Sequence, residues 1–207
     1  MKKIMFSDDY CLTQAVLDGT KTMTRRLLKV PKTCNGKEVY SFNILTNNAG
    51  AQCVDLVDEN GGVLGSWKPH YEVGEIVAIA QDYNTIGKTQ YDKFGNGVPG
   101  NRNKMFTRAE LLPHHIQITD VKVERLQDIS DKECLREGVK RASIGFYAEG
   151  VKVKDWEKEA HRETASGCLK LFPFPRPAFA SLIDKISGKG TWESNPWVVA
   201  YSFELVD

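Results

Sequence analysis

The sequence of 207 residues has no Cys-x-x-Cys pair, no long apolar run, no internal repeat and almost no net charge, and each absence removes a class of protein. Its five cysteines, Cys11, Cys34, Cys53, Cys134 and Cys168, are odd in number and widely spaced. That pattern excludes a disulfide framework or zinc ribbon and fits a reducing cytoplasm. The four histidines lack ligand spacing with acids or cysteines, so no metal is assigned. No apolar stretch approaches the roughly 20 residues that cross a bilayer. Ser7, Asp8 and Asp9 also interrupt the start too early for a signal-peptide hydrophobic region, so a soluble protein without membrane contact is expected. With 28 Lys plus Arg against 27 Asp plus Glu, the net charge of +1 supplies no global field for nucleic acid. Any such contact has to come from a local patch. Phosphate-loop, dinucleotide and nucleophile-elbow fingerprints are also missing, which removes the common nucleotide enzymes and leaves no cofactor to expect.

What is present is 41% hydrophobic residues, enough for a substantial core without staples. The pattern predicts a short strand at Ile4 to Phe6, then a helix capped by Ser7, with Asp8 and Asp9 in its first turn and Gly19 as its stop. Lys21 to Leu28 reads as the start of a strand. Residues 32–67 alternate β-like pieces with turn signals such as Asn47-Asn48-Ala49-Gly50 and read as a hairpin-rich insertion. Glu75 to Tyr83 is apolar on both faces, as an interior strand requires, with Gln81 its odd polar member. Asn84 to Lys104 reads as a long surface loop.

Ile116, Ile118, Val121 and Val123 mark another strand, and Ser130-Asp131-Lys132-Glu133 is a capping box opening a helix closed by Gly138. Val151 to Gly167 is charged and weakly helical. The prolines from Phe172 to Pro177 enforce an extended crossing, with Pro177 at the first position of a docked helix that ends before Gly188. Trp197 to Val206 is the closing strand. One α+β domain spanning 1–207 is expected, with insertions at about 32–67 and 140–176.

The densest group of donors is Gly19-Thr-Lys-Thr-Met-Thr-Arg-Arg26, with three cations, three hydroxyls and no acid. A phosphate or nucleobase would find partners there. A solvated strand start is the plainer alternative. Strand alternation from Thr22 puts Thr22, Thr24 and Arg26 on one face and Met23, Arg25 and Leu27 on the other, which assigns Arg26 to a cleft. Lys21 becomes a nucleophile only if desolvation or neighbouring cations lower its pKa, and Arg25 and Arg26 are such neighbours. Trp192, Asn195 and Trp197 could form a stacking platform with a base-reading amide. Asn195-Pro196 is equally an ordinary turn initiator, and core packing is the alternative for Trp197.

Gly19-x-Lys21-x-x-x-x-Arg26 resembles the signature of the ASCH domain family, a relative of the PUA-like RNA-binding fold. The likeness continues in Val73-Gly74-Glu75, in Ile118 to Gly138 and in Asn195-Pro196-Trp197-Val198, which look like the larger phage-associated members. It covers about two thirds of the chain, least in the insertions. The resemblance implies a PUA-like mixed β-barrel flanked by short helices, with a cleft near Lys21 suited to RNA or a modified nucleoside.

Some small members are amidohydrolases that remove the acyl group from N4-acetylcytidine, using a lysine and a threonine of this motif and a glutamate of a later strand. By motif position these are Lys21 and Thr24, and the glutamate falls at Gln81. A carboxamide has no useful proton affinity near neutral pH and cannot replace a carboxylate as general base. Asp82 should project to the opposite strand face, and Glu75 lies six residues away, about 20 Å along a strand. The leading expectation is therefore binding of RNA or a modified nucleoside through Lys21, Thr22, Thr24, Arg26, Gln81, Trp192 and Asn195. Hydrolysis of an N4-acylcytidine by Lys21 and Thr24 is the alternative. A protein-interaction module of phage or mobile-element origin is the third.

Overall fold

A computed structural model of the chain describes residues 1–46, 52–98, 103–152 and 169–207 and has an α+β fold of mixed sheets with few, short helices. Strand β1 (Lys3–Ile4), helix α1 (Leu12–Leu17) and strand β2 (Met23–Leu27) open the chain. A ladder of β3 (Thr33–Cys34) and β4 (Lys37–Glu38) leads into an antiparallel sheet of β5 (Ser41–Thr46), β6 (Gln52–Val57) and β7 (Val63–Trp67). Next come β8 (Ile76–Ile79), the ladder of β9 (Gln90–Tyr91) and β10 (Gly97–Val98), and the long β11 (His115–Arg125). Helix α2 (Asp131–Arg136), the ladder of β12 (Lys140–Arg141) and β13 (Phe146–Tyr147), α3 (Pro175–Ser187), α4 (Thr191–Ser194) and β14 (Trp197–Leu205) complete it.

The central sheet has the order β1-β8-β11-β14-β2, antiparallel except for the parallel pair β1 and β8. Its longest pairing shows how sequence parity becomes geometry. Ile116 and Ile118 are buried at even positions, whereas Val121 and Val123 are buried at odd ones. A strand of strict period two cannot bury both pairs on one face. The register between β11 and β14 shifts between Ile118 and Asp120, so one extra residue, Thr119, absorbs the parity change as a bulge. Strand β14 is covered on both faces: Val199, Tyr201 and Phe203 join the main core, and Val198 joins a second core with α2 and α3. Val54 and Leu56 of β6 belong to that same main core, and the Phe42 ring meets Trp197 edge-on at 5.5 Å.

Two helix starts differ from the sequence reading. Ser7 does not cap α1; its carbonyl accepts from Leu12 N, Asp8 to Tyr10 form a turn, and Cys11 occupies the cap in a left-handed conformation. The tertiary cause is Lys104, whose ammonium takes the Phe6 carbonyl, the Asp8 carboxylate and the Thr13 hydroxyl and so recruits the turn for another contact. Helix α3 begins at Pro175 rather than Pro177, because Phe172 is still bridged to Phe146 and the extended segment ends at Phe174. The Asn47 to Gly50 turn, Pro99 and most of the charged stretch from Val151 to Gly167 lie outside the described residues. Among the described residues no helix is long and apolar enough to cross a membrane.

Candidate functional site

Helix α1 ends in a two-bond turn in which Gly19 N donates to Val16 O and Thr20 N to Ala15 O, with Gly19 at φ 69°. That reversal carries Lys21 inward, not toward solvent. Lys21 is 2% exposed, and its ammonium donates to Met23 O at 2.7 Å, Glu137 O at 2.7 Å and Glu137 Oε2 at 2.8 Å. All three protons are used. Burial pulls the Lys21 pKa below its ordinary value, the Glu137 carboxylate opposes this, and Arg26 and Arg25 add to the fall.

Arg25 is 5% exposed and occupies the centre of the same network. Its Nε and Nη2 donate to Glu124 Oε1 at 3.0 and 2.5 Å, its Nη1 donates to Glu137 Oε1 at 3.1 Å, and Nη2 lies 3.3 Å from Glu133 Oε2. Burial alone would lower the Arg25 pKa, but Glu137 and Glu124 together outweigh it, so the net shift is upward. Lys122 contacts the other Glu124 oxygen. Lys21, Arg25 and Lys122 thus face Glu124, Glu133 and Glu137, and the charges balance.

The sequence reading did not identify the three acids as counter-charges to the cluster, although a signal existed. Glu133 and Glu137 stand four apart on one helix face, and an apolar-flanked Arg25 requires counter-charges. Glu133 also closes the box that caps α2, accepting from the Ser130 N–H and hydroxyl at 2.9 Å each. Burial pushes its pKa up, but the Ser130 hydrogen bonds and Arg25 prevail and hold it below the ordinary 4.5. A depressed acid stabilises the fold above its unfolded pKa, and the contribution is lost as pH falls through the folded value. Glu133→Gln should therefore flatten the fall in melting temperature below about pH 4.5. Superimposable acid limbs for wild type and variant would refute that role.

Phe6, Lys21, Thr24, Arg25, Arg26 and Glu137, with apolar residues of α3, line a narrow cleft of about 50 Å³. Both arginines line it, from opposite faces of β2: Arg25, paired with Ala200, turns toward the acids, while Arg26, paired with Val199, stays exposed beside Phe6. Arg26 donates to Met5 O and lies 5.8 Å from the Phe6 ring centre. The cleft is far smaller than the roughly 300–1,000 Å³ that encloses drug-sized ligands.

Gln81 lines a different cavity, of about 200 Å³, with Asp8, Thr13, Asp82, Thr85 and Lys104. Strand β8 stops at Ile79, so alternation no longer separates Gln81 from Asp82, and both face this space. Gln81 is 8% exposed, and its amide oxygen is buried without a hydrogen-bond partner. Leaving a buried acceptor unpaired costs about 1–3 kcal/mol. Lys21 and Thr24 therefore line one cleft and Gln81 another, and the three do not converge.

The other expected binding residues have structural partners. Thr22 joins two elements: its hydroxyl accepts from Arg136 Nε at 3.0 Å, and its carbonyl accepts from Phe203 N at 3.0 Å. Asn195, at φ 43°, accepts from Gln127 N through its side chain at 2.8 Å, and the Trp192 carbonyl accepts from Gln127 Nε2 at 2.8 Å. The Trp192 ring packs edge-on against Phe179 at 6.1 Å. Neither residue lines either cavity. Among the described residues no group of three or more His, Cys, Asp or Glu is placed to hold a metal ion. No protein-family model matches the chain, and no curated protein or solved structure matches it either.

Proposed function

We propose that the protein binds an RNA or a modified nucleoside in the cytoplasm, on a PUA-like barrel built around the five-stranded sheet, and that it does not hydrolyse its ligand. The observation that carries the binding reading is the Gln81 amide, held buried on a polar cavity wall with its oxygen unpaired. Native folds rarely leave such a group unmatched without an external partner. The exposed Arg26 guanidinium adds a cation that a phosphate can meet.

The chemistry for amide hydrolysis lacks its parts. A lysine nucleophile needs a free lone pair, and Lys21 exposes one only by giving up a proton together with one of its three hydrogen bonds of 2.7 to 2.8 Å, each to a buried acceptor. The general base of the related hydrolases has no equivalent at Gln81, which stands in another cavity.

Fluorescence anisotropy with short labelled single-stranded RNAs and calorimetry with nucleosides test the reading. Binding of at least one is expected, and RNA affinity should fall with salt. Arg26→Ala should reduce the logarithmic salt slope by about one contact. Failure of both ligand types would overturn the proposal, and release of acetate from N4-acetylcytidine would reinstate hydrolysis.

A further inference from the structure

We infer that the Gln81 cavity takes a small uncharged ligand presenting a hydrogen-bond donor beside an acceptor, and that it discriminates against the phosphorylated form of that ligand. The inference rests on the proposed binding of an RNA or modified nucleoside and chooses between them, in favour of the free nucleoside or base.

The selection follows from which polar groups are already engaged. Lys104 directs its ammonium to Phe6 O at 2.8 Å, Asp8 Oδ1 at 2.7 Å and the Thr13 hydroxyl at 2.8 Å, which uses its three protons. Asp82 accepts from the Thr85 N–H at 2.9 Å and from the Thr85 hydroxyl at 3.0 Å. The Gln81 amide is the wall group whose buried oxygen has no partner. A carboxamide carries a donor and an acceptor side by side, and a half-turn of its terminal torsion exchanges them. Its complement is a neutral edge of the same kind, as in a lactam, a urea or the pairing edge of a nucleobase.

Charge and size narrow the class further. Asp8 and Asp82 against Lys104 give the wall a formal charge of −1, which repels a phosphate. A volume of about 200 Å³, itself below the roughly 300–1,000 Å³ of drug-sized pockets, leaves room for a single heterocycle and none for a strand. The walls are fixed in advance as well. Lys3 donates to the carbonyls of Lys104 at 3.1 Å, Met105 at 2.6 Å and Thr107 at 2.5 Å, which pins the segment that supplies Lys104. A site held this way binds without ordering a loop.

The test is calorimetry of the full chain with adenosine, cytidine, guanosine and uridine, each against its 5′-monophosphate. At least one nucleoside should bind tenfold or more tightly than its monophosphate. Gln81→Leu should weaken that nucleoside at least tenfold while leaving the melting temperature unchanged or raised, since it removes an unpaired buried oxygen. Asp8→Asn, at an exposed wall position, should narrow the gap between nucleoside and monophosphate. Equal or tighter binding of the monophosphate would overturn the inference, as would nucleoside binding indifferent to Gln81→Leu. RNA binding with no nucleoside bound would overturn it and leave the proposed function standing. Absence of both would remove both, with water alone as the occupant.

Discussion

Arg25→Ala is expected to lower the free energy of unfolding by about 3–5 kcal/mol, the cost of removing one partner from a buried ionic group. For a chain of this size that corresponds to a fall of about 6–20 °C in melting temperature. Among the described residues Arg25 is the one cation that touches all three acids, at 2.5 and 3.0 Å to Glu124, 3.1 Å to Glu137 and 3.3 Å to Glu133. Its removal leaves two lysines facing three carboxylates, of which Glu124 and Glu137 are buried. These contacts also tie β2 to β11 and to α2, so the damage should extend to the packing of α2. Arg25→Lys keeps the charge but loses the planar fork that reaches all three acids at once, so it should still be destabilising, though less so. Urea unfolding followed by circular dichroism measures the three chains. A midpoint for Arg25→Ala close to that of wild type would mean that the network contributes little and that Arg25 is available for a ligand.

Local signals in the sequence carried the parts of the fold that local physics decides. The Gly19 stop is formed by two hydrogen bonds within one turn, and the Ser130 to Glu133 box by groups three residues apart. The parity slip between Ile118 and Val121 announced the bulge in β11, although it was read only as a strand. What could not be read locally was decided by residues far away in the chain. Lys104 is 91 residues from Thr13 and 96 from Asp8, yet its three hydrogen bonds replace the expected start of α1. Glu137 is 116 residues from Lys21 and changes that lysine from an exposed donor into a saturated one. Alternation separated Arg25 from Arg26 correctly, but period two gives only the faces of a strand and says nothing of the acids waiting beyond one of them. At Gln81 the strand had already ended, so the rule no longer applied.

The signature lysine gives the second large effect, and its sign separates a structural role from a chemical one. Burial alone disfavours the Lys21 ammonium, as the downward shift of its pKa indicates. Its stabilising effect therefore lies in the acceptors it serves more than in its charge. Lys21→Ala would strip the Met23 carbonyl, the Glu137 carbonyl and Glu137 Oε2 of a shared donor in a site that water barely reaches. Losing those partners should lower stability by about 3 kcal/mol, a figure near the lower bound for breaking a buried pair because Arg25 still holds the other Glu137 oxygen. Affinity per folded molecule for any nucleoside bound in the Gln81 cavity should be nearly unchanged, because Lys21 does not line that space. A catalytic or ligand-binding lysine predicts the reverse, since deleting a strained buried charge would leave the melting temperature equal or higher while abolishing activity or binding. Melting curves and calorimetry on the same Lys21→Ala preparation read both quantities. A stable variant that no longer binds would restore the signature cluster as the ligand site.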